Sequence, residues 1–178
     1  MRTALSTIQT FHKLGRILST IVLVISVLVF VFSLTCAVLA ASGLENTVYD
    51  FFSVGSPVSS GVLYLAISSA FLSSLGEIII SRYAVKYFKA ELSSGTPFNR
   101  DNAKKLRNLG IMNIAIPIMV VILKSVLHMV LKNRFGDIGE NEYELISPVA
   151  IGLMFIVLSL VCRYGSEIDV TEGGEKND

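Results

Sequence analysis

Residues 81–110, SRYAVKYFKAELSSGTPFNRDNAKKLRNLG, decide the fold that the sequence predicts. They include seven of the fifteen basic residues of the protein, at positions 82, 86, 89, 100, 104, 105 and 107, and long apolar runs lie on both sides of them. A dense basic segment between two hydrophobic runs is typical of a loop on the cytoplasmic face of a membrane. This stretch therefore predicts an integral membrane protein.

The composition points in the same direction. Of the 178 residues, 52% are hydrophobic and 16% are charged, whereas soluble domains average about 25% charged residues. The net charge is only +1, so we expect no overall basic surface for direct nucleic-acid binding. The two cysteines and two histidines are scattered along the chain, which disfavours a disulfide framework or a zinc site. We expect no cofactor and no metal.

Four apolar runs are long enough to cross a bilayer, at residues 17–41, 58–80, 109–131 and 145–162. A cleaved signal peptide is the alternative for the first run, because basic residues precede it and Val38-Leu39-Ala40 resembles a cleavage site. The run is about twice the length of a signal h-region, which favours an uncleaved helix. The sequence predicts an all-α, integral membrane four-helix bundle that forms one domain over residues 1–171. Residues 172–178 are predicted to be a disordered acidic tail.

The distribution of basic residues predicts the orientation. Twelve of the fifteen Lys and Arg residues lie in the N-terminal segment, the central loop and the C-terminal side, and two lie in the other two loops. This bias places both termini and the central loop in the cytoplasm. The helical pattern of the second span continues to about Leu92, and Asn99 is a natural N-cap for the next helix. Helices 2 and 3 of the predicted bundle, which contain the second and third spans, should therefore extend into the cytoplasm. Residues 42–57 should form a loop.

Three short segments of the chain resemble an uncharacterised family of bacterial four-span membrane proteins, which is known as a domain of unknown function. The segments are Ser94-Gly95-Thr96-Pro97-Phe98-Asn99, Asn102-Ala103-Lys104-Lys105-Leu106-Arg107, and Tyr164-Gly165 followed by Glu167-Ile168-Asp169-Val170-Thr171. Members of that family are often encoded beside a small helix-turn-helix regulator. The resemblance therefore implies a membrane partner of such a regulator, and it transfers no site residues.

Two groups of residues are candidates for function. The cytoplasmic hairpin would contact a partner through Arg82, Lys86, Lys89, Phe98, Asn99, Arg100 and Lys104. Polar residues inside spans are functional candidates because they are costly in hydrocarbon, and these are Glu77, Asn113, Lys124 and His128. The structural alternatives are that Glu77 reaches interfacial water or Arg82 and that Lys124 extends toward the outer surface. Their predicted depths differ, so we expect no direct pairing between them.

No catalytic motif is present in the sequence, whether a Gly-x-Ser-x-Gly elbow, a His-Glu-x-x-His metal signature or a glycine-rich phosphate loop. We therefore expect a non-enzymatic protein, and the first hypothesis is a binding partner or sensor for a small cytoplasmic transcriptional regulator. One alternative is an immunity or stress-protection protein that meets a membrane-active toxin through its outer loops and the small-residue face of the second span. The other is a small transporter that uses Glu77, Asn113, Pro117 and Lys124. The sequence leaves the oligomeric state open.

Overall fold

The computed structural model describes residues 2–52, 59–94, 100–136, 138 and 145–174. These residues form five α-helices and no strand. The helices are α1 (Arg2–Ala41), α2 (Glu45–Phe52), α3 (Ser60–Ser94), α4 (Arg100–Phe135) and α5 (Ile146–Gly174). The predicted all-α fold class is confirmed.

Four of the helices are long and apolar enough to cross a membrane, over His12–Ala41, Ser60–Ser93, Arg100–Phe135 and Ile146–Glu167. Their large apolar side chains are widely exposed, as for Leu28 (64%), Met129 (72%) and Val130 (60%). Exposure of this kind is unfavourable in water, by about 25 cal/mol per Å² of apolar surface, but carries no such cost in hydrocarbon. The predicted count of four membrane-length helices is confirmed, and their length and composition fit a multi-pass membrane protein.

The helices are longer than the predicted spans. α1 is already helical at Arg2, and α5 continues to Gly174. Residues 172–174, which were expected to be disordered, are therefore helical, and residues 175–178 lie outside the described part of the chain. α4 continues as one helix through Pro117, although the proline ring removes the N–H that would bond the carbonyl of Asn113. The Asn113 side-chain amide donates to the Leu109 carbonyl at 3.0 Å.

The prediction of a loop over residues 42–57 is wrong for Glu45–Phe52, which is helix α2. The chain turns at Gly43, whose φ of 80° is in the left-handed region that glycine adopts without strain. The N–H of Leu44 donates to the Leu39 carbonyl at 3.1 Å, and that of Gly43 donates to the Ala40 carbonyl at 3.3 Å. This pair of bonds is a Schellman motif. It ends α1 and allows a new helix to start one residue later.

The chain divides into two compact units, each with its own core. The first unit contains Met1–Leu23, Ile79–Ile116 and Leu145–Asp178, and the second contains Val24–Ile78 and Pro117–Glu144. α1, α3 and α4 each contribute to both units, whereas α2 lies in the second and α5 lies in the first.

The core of the second unit joins α1, α2 and α3. Its buried residues are Cys36, Val48, Leu63 and Ile67, with Leu39 packed against them. Val48 comes from the middle of α2 and is only 2% exposed. Burial of a valine side chain contributes about 1.5–3 kcal/mol, so tertiary packing stabilises a helix that is too short to persist alone.

The small-residue face predicted for the second span, which consists of Ala66, Ala70 and Ser74, is only partly a packing surface. Ser74 is 1% exposed and Ala66 is exposed. Close packing in this part of α3 occurs instead at Gly61, where an added Cβ would lie 2.8 Å from Cβ of Phe135 and would also meet Ile138.

The core of the first unit joins α3, α4 and α5. It is built on Tyr87, Leu106 and Leu109, against which Ala84, Phe88, Phe155 and Cys162 pack. α4 and α5 approach most closely at Gly110 and Gly152: a Cβ at residue 110 would lie 2.7 Å from the Gly152 carbonyl oxygen, and one at residue 152 would lie 2.8 Å from that of Gly110. Small residues of this kind allow the backbones of membrane helices to touch.

Candidate functional site

The predicted partner-contact residues that the structure describes lie on the surface of the first unit. Arg82, Lys86 and Lys89 are exposed on α3, and Arg100 and Lys104 are exposed on α4. Phe98 and Asn99 lie outside the described residues, as does the rest of the predicted turn at residues 95–99. The structure thus gives two exposed basic helix segments.

Four cationic side chains line a cleft between α4 and α5, of which the sequence indicated only Arg100 and Lys104. The cleft has a volume of about 240 Å³ and is lined by Arg100, Ala103, Lys104 and Arg107 of α4 and by Ser159, Leu160 and Arg163 of α5. The spacing of three and four residues explains the arrangement, because it places the lining residues of each helix on one face.

One acidic residue partly offsets the positive charge of this basic cleft. Oε1 of Glu167 lies 3.2 Å from Nε of Arg163 and 3.6 Å from Nη2 of Arg100. All three side chains are well exposed, so these ion pairs contribute little to stability. With four cations against one paired carboxylate, the cleft keeps a net positive charge that suits an anionic ligand.

A buried carboxylate that sequence reasoning missed lies elsewhere in the first unit. Glu91 of α3 is 4% exposed, and its Oε2 lies 3.0 Å from Nδ1 of His12 in α1. The hydroxyl of Tyr87, one helical turn earlier, also bonds to Glu91. Buried charges require such partners. The available signal in the sequence was that Glu91 is the one acid between Glu77 and Asp101, in a strongly basic segment.

The buried carboxylate is enclosed by aromatic packing. The rings of His12 and Phe88 lie 6.3 Å apart, and those of Tyr87 and Phe88 lie 5.2 Å apart in an edge-on arrangement. Gly15 allows this approach, because a Cβ there would lie 2.6 Å from the Phe88 ring. The group of His12, Tyr87, Phe88 and Glu91 therefore ties α1 to α3 within the first unit.

The intramembrane candidate Glu77 has a partner that the sequence did not predict. Oγ of Ser26 donates to Oε2 of Glu77 at 2.7 Å, and Ser26 is 1% exposed. Ser26 lies nine residues after the start of the first apolar run at residue 17, which is about 13 Å along a helix. Glu77 itself is exposed on α3, and its hydrogen-bond donor lies well inside the apolar part of α1.

The other intramembrane candidates are more dispersed. Lys124 is half-buried, and its charge interacts with that of Glu77 in the second unit. That the two side chains do not pair directly stays a prediction. His128 is half-buried, one helical turn after Lys124. Asn113 belongs to the first unit, and its amide bonds within its own helix.

The polar side chains at these positions form hydrogen bonds and ion pairs. Within the described residues, no group of three His, Cys, Asp or Glu side chains could hold a metal ion. Cys36 and Cys162 are both free thiols. Comparison of the chain with models of protein families, with curated proteins and with solved structures gives no match.

Proposed function

We propose that the chain is a non-enzymatic, multi-pass protein of the cell membrane, with both termini in the cytoplasm, that binds a small cytoplasmic transcriptional regulator. The observation that carries the proposal is the exposed basic surface of α3 beyond its apolar run. Arg82, Lys86 and Lys89 are all exposed, whereas Glu91, the acid in the same segment, is buried. The surface is therefore cationic and complementary to a partner with an acidic face.

The orientation is supported by the charge distribution. Twelve of the fifteen Lys and Arg residues lie on the side assigned to the cytoplasm, and this asymmetry orients most multi-pass proteins. Reporter fusions after residue 99 and at the C-terminus should give a cytoplasmic signal, and a fusion after residue 139 should give an external signal. A cytoplasmic signal at residue 139 would contradict the assignment.

The regulator is suggested by the resemblance to a four-span family encoded beside helix-turn-helix proteins. The test is binding between the chain in nanodiscs and the helix-turn-helix protein encoded beside its gene. Lys86→Gln with Lys89→Gln should weaken binding by up to about thirtyfold, because two exposed charge pairs contribute up to about 1 kcal/mol each. Lys132→Gln with Arg134→Gln removes the same charge from the second unit and should leave binding unchanged. A gene neighbourhood without such a regulator, or equal weakening by both pairs, would count against the proposal.

A second candidate function is a small ion transporter, and the Ser26–Glu77 hydrogen bond favours it. A carboxylate hydrogen-bonded inside an apolar span is typical of ion and proton pathways. Proteoliposomes that hold a pH-sensitive dye provide the test. Proton flux that is abolished by Glu77→Gln and kept by Lys132→Gln would support transport, and an absence of flux in the unchanged protein would refute it.

A further inference from the structure

We propose that the basic cleft between α4 and α5 binds the phosphate of an anionic phospholipid headgroup. The site is distinct from the α3 surface to which the regulator is assigned, and it takes Arg100 and Lys104, two of the predicted partner contacts, as lipid contacts instead. The ligand is identified by the charges of the cleft, its size and the apolar surface beside it.

The charges suit a phosphate monoanion. Arg100 and Arg107 approach from α4 and Arg163 from α5, with Lys104 between them along the α4 face. Guanidinium groups bind phosphate oxygens through paired, charge-assisted hydrogen bonds. One carboxylate oxygen of Glu167 accepts a hydrogen bond from Arg163 and forms a longer ion pair with Arg100. Glu167 thus orients these two cations while leaving Lys104 and Arg107 available to the ligand.

The size of the cleft suits one headgroup. Its volume of about 240 Å³ is below the range of about 300–1,000 Å³ that encloses drug-sized ligands. A phosphate with a small polar substituent fits that space, while the remainder of a lipid would extend out of it.

The apolar surface beside the cations distinguishes a lipid from a free phosphate. Leu160 lines the cleft and is 56% exposed, and Val157 and Val161 on the same helix are 59% and 56% exposed. All three lie in the membrane-length segment Ile146–Glu167. A lipid can therefore place its phosphate among the cations and its acyl chain along α5. Basic pockets between membrane helices bind anionic headgroups in this manner.

The depth of the cleft agrees with this assignment whichever face of the membrane it lies on. Arg107 precedes the predicted third span at residue 109 by two residues, and Arg163 directly follows the predicted fourth span. Cations at the ends of spans lie at headgroup level. The assignment of a lipid to this cleft therefore depends neither on the proposed orientation of the chain nor on the proposed regulator.

The test uses the full-length protein in mixed micelles of a neutral detergent, titrated with phosphatidylglycerol and, separately, with phosphatidylcholine. Lipid bound per protein is measured by native mass spectrometry at constant ionic strength. We expect phosphatidylglycerol to bind preferentially. Lys104→Gln with Arg107→Gln should weaken it about thirtyfold, and Lys104→Gln alone about fivefold, since each cation near the surface contributes about 1 kcal/mol.

The matched control is Lys132→Gln with Arg134→Gln, which removes an equal charge from exposed positions on the same helix but outside the cleft. It should bind phosphatidylglycerol as the unchanged protein does. Lys104 is exposed, so its substitution should preserve folding, which circular dichroism checks directly. Equal binding of the two lipids, or equal loss in the cleft variant and the control, would overturn the proposal.

A competition arm separates the two sources of phosphate. Soluble glycerol phosphate should fail to displace phosphatidylglycerol at concentrations that saturate the lipid site, because it lacks the acyl contact with α5. Displacement at equal concentration would show a site for free phosphate and would refute lipid binding. No regulator is present in this assay, so its outcome is independent of the binding test with Lys86 and Lys89.

Discussion

Replacement of Gly110 by valine should separate α4 from α5. A Cβ at this position would lie 2.7 Å from the Gly152 carbonyl oxygen and 2.8 Å from Cγ1 of Ile156, whereas ordinary contacts begin at 3.4 Å. The carbonyl is part of the backbone and cannot rotate away, so the helices must part by about 0.7 Å. A gap of this size forfeits a quarter to a half of the local dispersion attraction.

The expected cost follows from two opposing effects. Overpacking of a close contact typically costs about 1–3 kcal/mol, and removal of a helical glycine returns up to about 1 kcal/mol when alanine replaces it. Gly110→Ala should therefore lie between neutral and about 2 kcal/mol less stable. Valine has a weaker helix propensity and two more methyl groups, so Gly110→Val should lose about 2–3 kcal/mol.

The assay is reversible unfolding in mixed micelles by titration with sodium dodecyl sulfate, followed by far-ultraviolet circular dichroism, because the chain contains no tryptophan for fluorescence. Ala115→Val is the control, since Ala115 lies on the exposed face of the same helix; a change within about 0.5 kcal/mol is expected there. Unchanged stability of Gly110→Val, or an equal loss at Ala115, would refute the close helix contact.

Two further predictions concern the buried polar groups. Ser26→Ala should cost about 1–3 kcal/mol in the same titration, because Oε2 of Glu77 loses its donor in an apolar environment. Ser125→Ala is the control, since among the described residues that hydroxyl bonds only the Val121 carbonyl of its own helix turn. Equal losses would mean that the bond to Glu77 contributes nothing specific. Glu91→Ala should also cost about 1–3 kcal/mol, and its effect should be non-additive with that of His12→Ala because the two residues share one contact. Strict additivity in that double-mutant cycle would argue against the His12–Glu91 interaction.

The four membrane-length helices could be predicted from sequence because the apolar content of a run alone decides whether hydrocarbon accepts it. α2 could not be predicted in the same way. Its eight residues include Glu45 and Asp50, and the helix depends on contacts of Val48 with residues that are distant in the chain. The one local signal was Gly43, a residue type that often ends a helix.

The basic cleft could be predicted only in part, because contacts between helices are not visible in a single segment of sequence. The positions of Arg100, Lys104 and Arg107 follow from helical spacing within one segment. Their position opposite Arg163 depends on the register between α4 and α5. The Gly110–Gly152 contact sets that register, and the spacing of residues within one helix does not predict it. The Ser26–Glu77 bond is a pairing of the same kind, because Ser26 is one of many serines and nothing local distinguishes it.

The corner between α1 and α2 supplies hydrogen-bond partners for carbonyl groups at the end of a membrane-length helix. The carbonyls of Val38, Leu39 and Ala40 all accept hydrogen bonds from residues 42–44, and the Ser42 hydroxyl adds a second bond to Val38. A helix end usually leaves such carbonyls to be satisfied by water or other partners, and hydrocarbon offers none. Here the protein itself satisfies these three carbonyls, so contact with hydrocarbon would not leave them without a hydrogen bond. Leu44 and Phe51 beside the same corner are 51% and 66% exposed, and such apolar side chains favour contact with hydrocarbon over contact with water.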